Sequence, residues 1–347
     1  MGGPIPIRLD GAAPVDQRGR ALRDLRISVL DRCNFRCPYC MPEERYPRDH
    51  EFLSKRERLR FEEIERLARV FASLGVHKLR LTGGEPLLRR ELPELVRRLA
   101  AIPGIDDVAL TTNGSLLAAQ AGALRDAGLS RITLSLDTLD PDTFRSMSGG
   151  RGDVATVLAA IDAAVHAGFP PMKINCVVMR GRNDHQVFDL LAHFRGSGHI
   201  VRFIEYMDVG TCNDWRSTLV VPGAELRARI DERWPLRALA SNYAGEVARR
   251  YTFADGAGEV GFIDSVTAPF CGDCTRARLS ADGRLYTCLF AASGHDLRGP
   301  LRAGIDDVEL ARLIGAAWGA RDDRFSELRD RTAGAAREHV EMYAIGG

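Results

Sequence analysis

The chain has 347 residues, enough for one large α/β body and a smaller appendage. Its 48 basic and 47 acidic side chains nearly balance, so nothing global favours nucleic acid or a membrane surface as partner, and Arg-rich stretches such as Arg56 to Arg69 read as solvated helix faces. No apolar run is long enough to cross a bilayer, and Met1-Gly2-Gly3-Pro4-Ile5-Pro6 lacks the charged and apolar regions of a secretory leader, so a cytoplasmic protein is expected.

From residue 22 to about 207, strand-like and helix-like segments alternate. Strands are predicted at 25–30, 76–81, 108–111, 132–136, 173–179 and 201–206. Helices are predicted at 61–74, where Phe61, Ile64, Leu67, Ala68 and Phe71 recur at helical spacing, and at 92–99, 116–127, 154–167 and 185–194. Six β/α units in a row imply a parallel sheet but fall short of the eight that close a barrel. The expectation is an α/β fold: an open, partial (β/α)6 TIM-like barrel over residues 1–235, with a smaller C-terminal domain, 236–347, packed against its open side. Beyond Met207 the alternation stops. A loop at 210–222, a helix at 224–234, a hairpin at 249–263 around Asp255-Gly256 and a helix at 306–318 precede a polar tail ending Tyr343-Ala344-Ile345-Gly346-Gly347.

The polar motifs fall at the carboxyl ends of these strands. Cys33-Asn34-Phe35-Arg36-Cys37-Pro38-Tyr39-Cys40 follows the first strand and Thr82-Gly83-Gly84-Glu85-Pro86 the second. Thr111-Thr112-Asn113-Gly114 ends the third, Ser135 and Asp137 the fourth, Glu205 and Met207 the sixth. Any one of these is an ordinary turn. Their agreement on the rim where β/α barrels carry chemistry marks a site.

The C-x3-C-x2-C run is the sharpest signal. A cubane iron–sulfur cluster takes one thiolate per iron, so three cysteines leave one iron free to bind a small molecule. Structural zinc wants four protein ligands, and no fourth Cys or His lies nearby. A second set, Cys271, Cys274 and Cys288, repeats the three-thiol arithmetic, although here a zinc site borrowing an outside ligand is a stronger rival. Between Cys274 and Cys288 a hairpin is predicted, with a two-residue turn at Asp282-Gly283 that sets Cys288 opposite Ala277. Arg276 and Arg278 then share one strand face, beside the cysteines, and suit a phosphate or carboxylate. Of the remaining cysteines, Cys176 sits in an apolar strand and reads as core, and Cys212 is left over.

The first cysteine run resembles the signature of the radical S-adenosylmethionine (SAM) superfamily. Together with Arg26-Ile27-Ser28-Val29, Lys78-Leu79-Arg80-Leu81-Thr82-Gly83-Gly84-Glu85-Pro86, Ser135-Leu136-Asp137, Arg202-Phe203-Ile204-Glu205-Tyr206-Met207, Cys274-Thr275-Arg276-Ala277-Arg278 and the final Gly346-Gly347, the chain resembles the GTP 3′,8-cyclase family, from about Leu22 to its end. That resemblance implies two 4Fe-4S clusters and SAM as cofactors and GTP as substrate. It implies the first step of molybdenum cofactor synthesis, in which a 5′-deoxyadenosyl radical takes a hydrogen from the ribose C3′ and that carbon attacks C8 of guanine. It implies further that Cys33, Cys37 and Cys40 hold the first cluster and Cys271, Cys274 and Cys288 the second. Tyr39, Gly84, Ser135 and Met207 would touch SAM, with Gly83 and Glu85 shaping its pocket. Arg26, Arg80, Thr111, Lys173, Arg276 and Arg278 would hold GTP, with Lys78 and Arg202 as further candidates and no Walker P-loop to share the task. Arg276, Arg278 and an inserted Gly346-Gly347 tail would serve catalysis. The implied partners are a flavodoxin- or ferredoxin-like electron donor, a downstream cyclic pyranopterin monophosphate synthase and a second copy in a homodimer. Two rivals remain at this level: another radical SAM enzyme with a C-terminal auxiliary cluster, such as a peptide-modifying one, and a zinc-stapled binding module without chemistry.

Overall fold

The computed structural model describes residues 13–332 and 339–346, so the N-terminal Met1 to Pro6 segment and Gly347 lie outside the described residues. The six expected strands are all present: β1 (Asp24–Ser28), β2 (Lys78–Thr82), β3 (Asp107–Thr112), β4 (Arg131–Ser135), β5 (Lys173–Val178) and β6 (Ile200–Glu205). Between them run α1 (Phe61–Ser73), α2 (Leu92–Ala100), α3 (Ala121–Asp126), α4 (Pro141–Met147), α5 (Val154–His166) and α6 (Val187–Phe194).

Local chemistry explains most of these boundaries. Asp140 caps α4 and Asp153 caps α5, their carboxylates accepting the Thr143 and Thr156 amides at 2.8 and 2.7 Å. The α4 helix escaped the periodicity reading because it is short, yet Asp140-Pro141 is a cap followed by an N1 proline. The helix expected at 116–127 is shorter than its pattern. Its first part forms turns instead, Leu117 N–H bonding to the Gly114 carbonyl at 3.0 Å and Gln120 N–H to that of Leu117 at 2.9 Å. The segment 185–194 likewise opens as a 3-10 turn, Asp184–Gln186, before α6.

The last third contributes α7 (Gly223–Arg233), β7 (Leu236–Leu239), β8 (Arg249–Phe253), β9 (Glu259–Ile263), β10 (Arg276–Leu279), β11 (Arg284–Tyr286), β12 (His295–Asp296), α8 (Arg298–Arg302), α9 (Asp307–Gly319) and α10 (Met342–Ile345). Its strands do more than cover an open side. They hydrogen-bond to both edges of the barrel, giving the order β12-β11-β10-β1-β2-β3-β4-β5-β6-β9-β8-β7. β10 joins β1 and β9 joins β6 in parallel, and the sheet ends in antiparallel strands without closing.

The hairpin register differs by one from the sequence expectation. Arg278 pairs with Tyr286 and Leu279 with Leu285, so extending the register puts Cys288 level with Arg276, not Ala277. The loop holds three residues because the Ser280 hydroxyl accepts the Arg284 amide at 2.9 Å, with Gly283 at φ +82°.

Side chains alternate across the sheet. Leu25, Ile27, Leu79, Leu81, Leu110, Ile132, Leu134, Ile174, Phe203, Phe262 and Leu279 point outward and form one apolar core with the helices. Cys176 lies among them, fully buried, as expected of a core thiol. The opposite face is polar and lines the barrel interior.

Candidate active site

Register builds the interior. β1 aligns Arg26 with Arg278 on β10 and with Arg80 on β2, making one row of three guanidiniums. One step below, Asp24 aligns with Arg276 on one side and Lys78 on the other. Lys173 and Asn175 on β5 lie level with Thr133 and Ser135 on β4, and Asn175 with Arg202 on β6. The period-2 pleat sends all of these to one face.

Two cavities occupy that face and share Thr111, Asn175, Ile204 and Met207 as lining. The first cavity carries Cys271, Cys274 and Cys288 with Arg26, Arg80, Arg202, Arg276 and Arg278. The second carries Cys33, Cys37 and Cys40 with Tyr39, Gly83, Gly84, Glu85, Ser135 and Asp137. The six cysteines thus separate into the two sets read from the sequence. Lys78 and Lys173 stand at the starts of β2 and β5, at the base of the interior, rather than in the lining of either cavity.

The first cysteine loop is held from behind by buried Arg36, which donates to the carbonyls of Cys33, Phe35 and Tyr46 at 2.8, 2.9 and 2.7 Å. Burial pushes the Cys33 thiol up to about 12 and Cys37 well above its ordinary value. Such thiols ionise only beside a strong positive charge, which iron supplies. All three are free and face one cavity, so the set fits a cluster with an open iron. Among the described residues no three His, Cys, Asp or Glu side chains are gathered as the ligands of a single metal ion.

The neighbouring turns are tied to this loop. Gly84 and Glu85 amides donate to the Leu30 and Arg32 carbonyls at 2.7 and 2.8 Å. The Glu85 carboxylate accepts the Thr112 hydroxyl and the Asn113 and Leu87 amides at 2.7, 2.8 and 3.0 Å, while burial raises it to about 7. Asn113 donates onward to Asn34 at 2.9 Å. Tyr39 donates to Asp137 at 2.7 Å, and burial raises that carboxyl to about 6. Glu205, read from the sequence as a rim residue, ends β6 and lines the second cavity, and its carboxylate accepts the amides of Gly223, Val266 and Thr267 at 2.8, 2.7 and 2.8 Å, so it also holds loops.

At the second set, burial pushes Cys274 up but the guanidiniums of Arg276 and Arg321 prevail and hold it at about 6. Arg276 donates to its sulfur at 3.3 Å. Burial, then the Asp323 charge, raises Cys288 to about 11. One thiolate already favoured, two more on the same cavity wall and adjacent cations suit a second cluster beside an anionic ligand. A buried trio missed by sequence reading supports this loop. Asp16 pairs with Arg20 and Arg321, which donate to the Cys271 and Cys274 carbonyls at 2.6 and 2.7 Å. Asp16 and Arg20 are four positions apart, but Arg321 lies 305 positions from Asp16, so no motif announces the trio.

The interior is crowded with cations. Burial and the neighbouring guanidiniums of Arg278, Arg276 and Arg80 push Arg26 well below its ordinary value. Arg80 and Arg278 fall to about 10, both chiefly by burial, and Lys173 to about 7. Arg80 reaches Thr111 and Thr133 at 2.9 and 3.0 Å. The Nε atoms of Arg202 and Arg276 are buried with no hydrogen-bond partner. Buried like charges with unspent donors are costly unless a polyanion joins them.

The tail enters the same space. Ile345 is fully buried, and Arg278 donates to the Ile345 carbonyl at 3.3 Å and to that of Gly346. Gly346 has φ +69°, and a Cβ there would collide with the Thr82 hydroxyl. Met342 and Tyr343, not singled out from the sequence, line the first cysteine set's cavity.

Comparison with known proteins agrees with this geometry. Residues 27–194 match the Radical SAM superfamily and residues 199–327 match Molybdenum Cofactor Synthesis C. The chain is similar to the GTP 3′,8-cyclase of Xanthomonas campestris pv. campestris (strain B100), 60% identical over 97% of this chain and 98% of the relative. It is 54% identical to that of Acidothermus cellulolyticus, over 94% and 91%, and 46% identical to that of Staphylococcus carnosus, over 96% and 98%. Among solved structures Streptococcus suis SuiB shares the fold, with a TM-score of 0.58 at 16% identity over 90% of this chain and 69% of that one. Two three-thiol cavities joined through a cationic interior, and similarity running nearly end to end, place the chain in the GTP 3′,8-cyclase family of radical SAM enzymes.

Proposed function

We propose that this enzyme converts GTP to (8S)-3′,8-cyclo-7,8-dihydroguanosine 5′-triphosphate, the first step of molybdenum cofactor synthesis. The observation that carries the reading is that the two cavities adjoin, sharing Thr111, Asn175, Ile204 and Met207 as lining, with the cations gathered on the side of Cys271, Cys274 and Cys288. When bound, the first cluster and SAM supply a 5′-deoxyadenosyl radical.

The chain's own residues position and exclude. Cys33, Cys37 and Cys40 hold the first cluster, and Tyr39, Gly83, Gly84, Glu85, Ser135 and Met207 bound the SAM pocket. Cys271, Cys274 and Cys288 hold the second. Arg26, Lys78, Arg80, Thr111, Lys173, Arg202, Arg276 and Arg278 bind the nucleotide, their charges matched to its triphosphate. Fixing the ribose between the two halves makes the hydrogen transfer intramolecular in effect, and the covered interior keeps water from the carbon radical. Gly346 completes the wall beside Arg278, and the catalytic role proposed for the tail includes Gly347. In this reading residues 1–235 form the SAM unit and 236–347 the GTP unit. A flavodoxin- or ferredoxin-like donor supplies the electron, a cyclic pyranopterin monophosphate synthase takes the product, and the enzyme works in the cytoplasm as a homodimer. No described helix is long and apolar enough to cross a membrane.

The test is anaerobic. Reduced protein carrying its clusters is given SAM with and without GTP, and 5′-deoxyadenosine and nucleotide products are followed by mass spectrometry. GTP-dependent 5′-deoxyadenosine with an equal amount of cyclised nucleotide is expected. Cleavage of SAM indifferent to GTP would leave a radical enzyme with another substrate, and no cleavage would remove the radical chemistry.

A further inference from the structure

The segment leading to the tail is fastened at successive points. His339 Nδ1 lies 2.9 Å from the Phe290 carbonyl, and the Val340 amide donates to Ala291 at 3.1 Å, just past Cys288. The His339 ring meets Phe325 edge-on at 5.0 Å. Two residues on, Glu341 reaches the loop that follows β6. Its carboxylate accepts the Thr211 amide at 2.9 Å, the Thr211 hydroxyl at 2.7 Å and the Cys212 thiol at 3.0 Å. The fit depends on Gly210, where a Cβ would collide with the Glu341 carboxylate. The same loop carries Met207 and is stiffened by Asn213, whose amide donates to the Met207 and Val209 carbonyls at 3.1 Å each.

Glu341 then serves as the extended residue before α10, and the Ala344 amide donates to its carbonyl at 3.0 Å. The single turn of α10 is therefore a short rigid arm, roughly 6 Å long, between the carboxylate and Ile345. Tyr343, on the same turn, meets Tyr46 edge-on at 5.0 Å and shares one neutral hydroxyl hydrogen bond with it. Three donors converging on one carboxylate fix position far more sharply.

We propose that Glu341 is a positioning residue that latches the C-terminal tail to the β6 loop and thereby sets how far Ile345 and Gly346 reach toward Arg278. Gly210 is its complement on the loop. The inference rests on the reading that the inserted tail supports the reaction. It adds what holds the tail there and couples that hold to the loop carrying Met207.

The test uses full-length, cluster-loaded enzyme and the variants Glu341→Ala, Glu341→Gln and Gly210→Ala, with Gly346→Ala as a probe of the tail itself. Amide hydrogen exchange across residues 342–346 is read alongside kcat and KM for GTP-dependent 5′-deoxyadenosine. Glu341→Ala and Gly210→Ala should each speed tail exchange about tenfold and lower kcat by about as much, the scale of one lost charge-assisted network. Glu341→Gln keeps one acceptor and should fall between. Iron content should match the parent protein. Unchanged exchange in Glu341→Ala would overturn the latch, as would faster exchange without loss of kcat. Loss of iron would overturn it too, by showing that Glu341 acts on a cluster loop and not on the tail. Full activity in Gly346→Ala would instead remove the underlying reading of the tail, whatever Glu341 does.

Discussion

Gly84 runs so close to Arg32 that a Cβ on it would collide with the Arg32 carbonyl and lie 2.9 Å from the Cys33 amide nitrogen. Both obstacles are backbone, and the approach exists because the neighbouring Glu85 amide donates to that same Arg32 carbonyl at 2.8 Å. The turn after β2 is thus clamped to the segment that runs from β1 into the first cysteine loop. Gly84→Ala should displace that loop and leave the second set untouched. Iron and labile-sulfide analysis of reconstituted protein should then find about half the normal content. A full complement of iron would show that the loop can give way.

Lys173 predicts a pH dependence. Burial, then the charges of Arg202, Arg131, Arg80 and Lys78, push its ammonium down to about 7, so in free enzyme it loses its proton as pH rises through 7. A bound triphosphate favours the charged form and raises that value, so binding takes up a proton above pH 7. Affinity for GTP should therefore be highest below 7 and fall as pH rises, by up to about tenfold per unit. The KM for GTP, measured from pH 6 to 9, checks this. Lys173→Arg keeps its charge and should flatten the profile; an unchanged slope would assign the titration to another group.

Arg278 faces both the guanidinium row and the tail, so its removal should be felt at GTP and not at SAM. Arg278→Ala should lower kcat/KM for GTP about a hundredfold, the scale of one charge-assisted contact with its geometry. Arg278→Lys should recover only part: Nη1 alone serves the Ile345 and Gly346 carbonyls, and an ammonium lacks the second guanidinium nitrogen that can bind a phosphate at the same time. Steady-state kinetics with each substrate varied in turn separates the two effects. A weakened affinity for SAM alone would contradict the assignment.

Glu205 is a stability residue. Its buried carboxylate joins the loop after β6, the start of α7 and the turn after β9 through the amides of Gly223, Val266 and Thr267. Glu205→Ala strands those donors and should cost about 3 to 5 kcal/mol. Urea unfolding of the variant and parent measures it directly. A loss under 1 kcal/mol would mean that water replaces the carboxylate without strain.

The barrel strands were legible because each alternates, with Leu79 and Leu81 outward and Lys78 and Arg80 inward, and because their polar ends agree on one rim. Both cysteine sets were legible from spacing alone. The pairing of β10 with β1 was not, since residues some 250 positions apart in a parallel pair leave no local trace. The hairpin register slipped by one because Ser280 supplies an acceptor that turns Asp282-Gly283 into a three-residue loop. Glu341 and the Asp16–Arg20–Arg321 trio look like ordinary surface charges in the sequence. Only folding brings their partners to them.

The parallel joining of β10 to β1 and β9 to β6 also sets an order of events during synthesis. The central six strands are complete when Glu205 has been made, yet both of their edges wait for strands that end about 60 and 70 residues later. At ribosomal speeds that interval lasts roughly 3 to 15 seconds. Throughout it, the nascent sheet offers two unpaired edges to any neighbouring chain. Slower translation downstream of β6 lengthens that exposure, and chaperones that cover strand edges are most useful to this protein in that window.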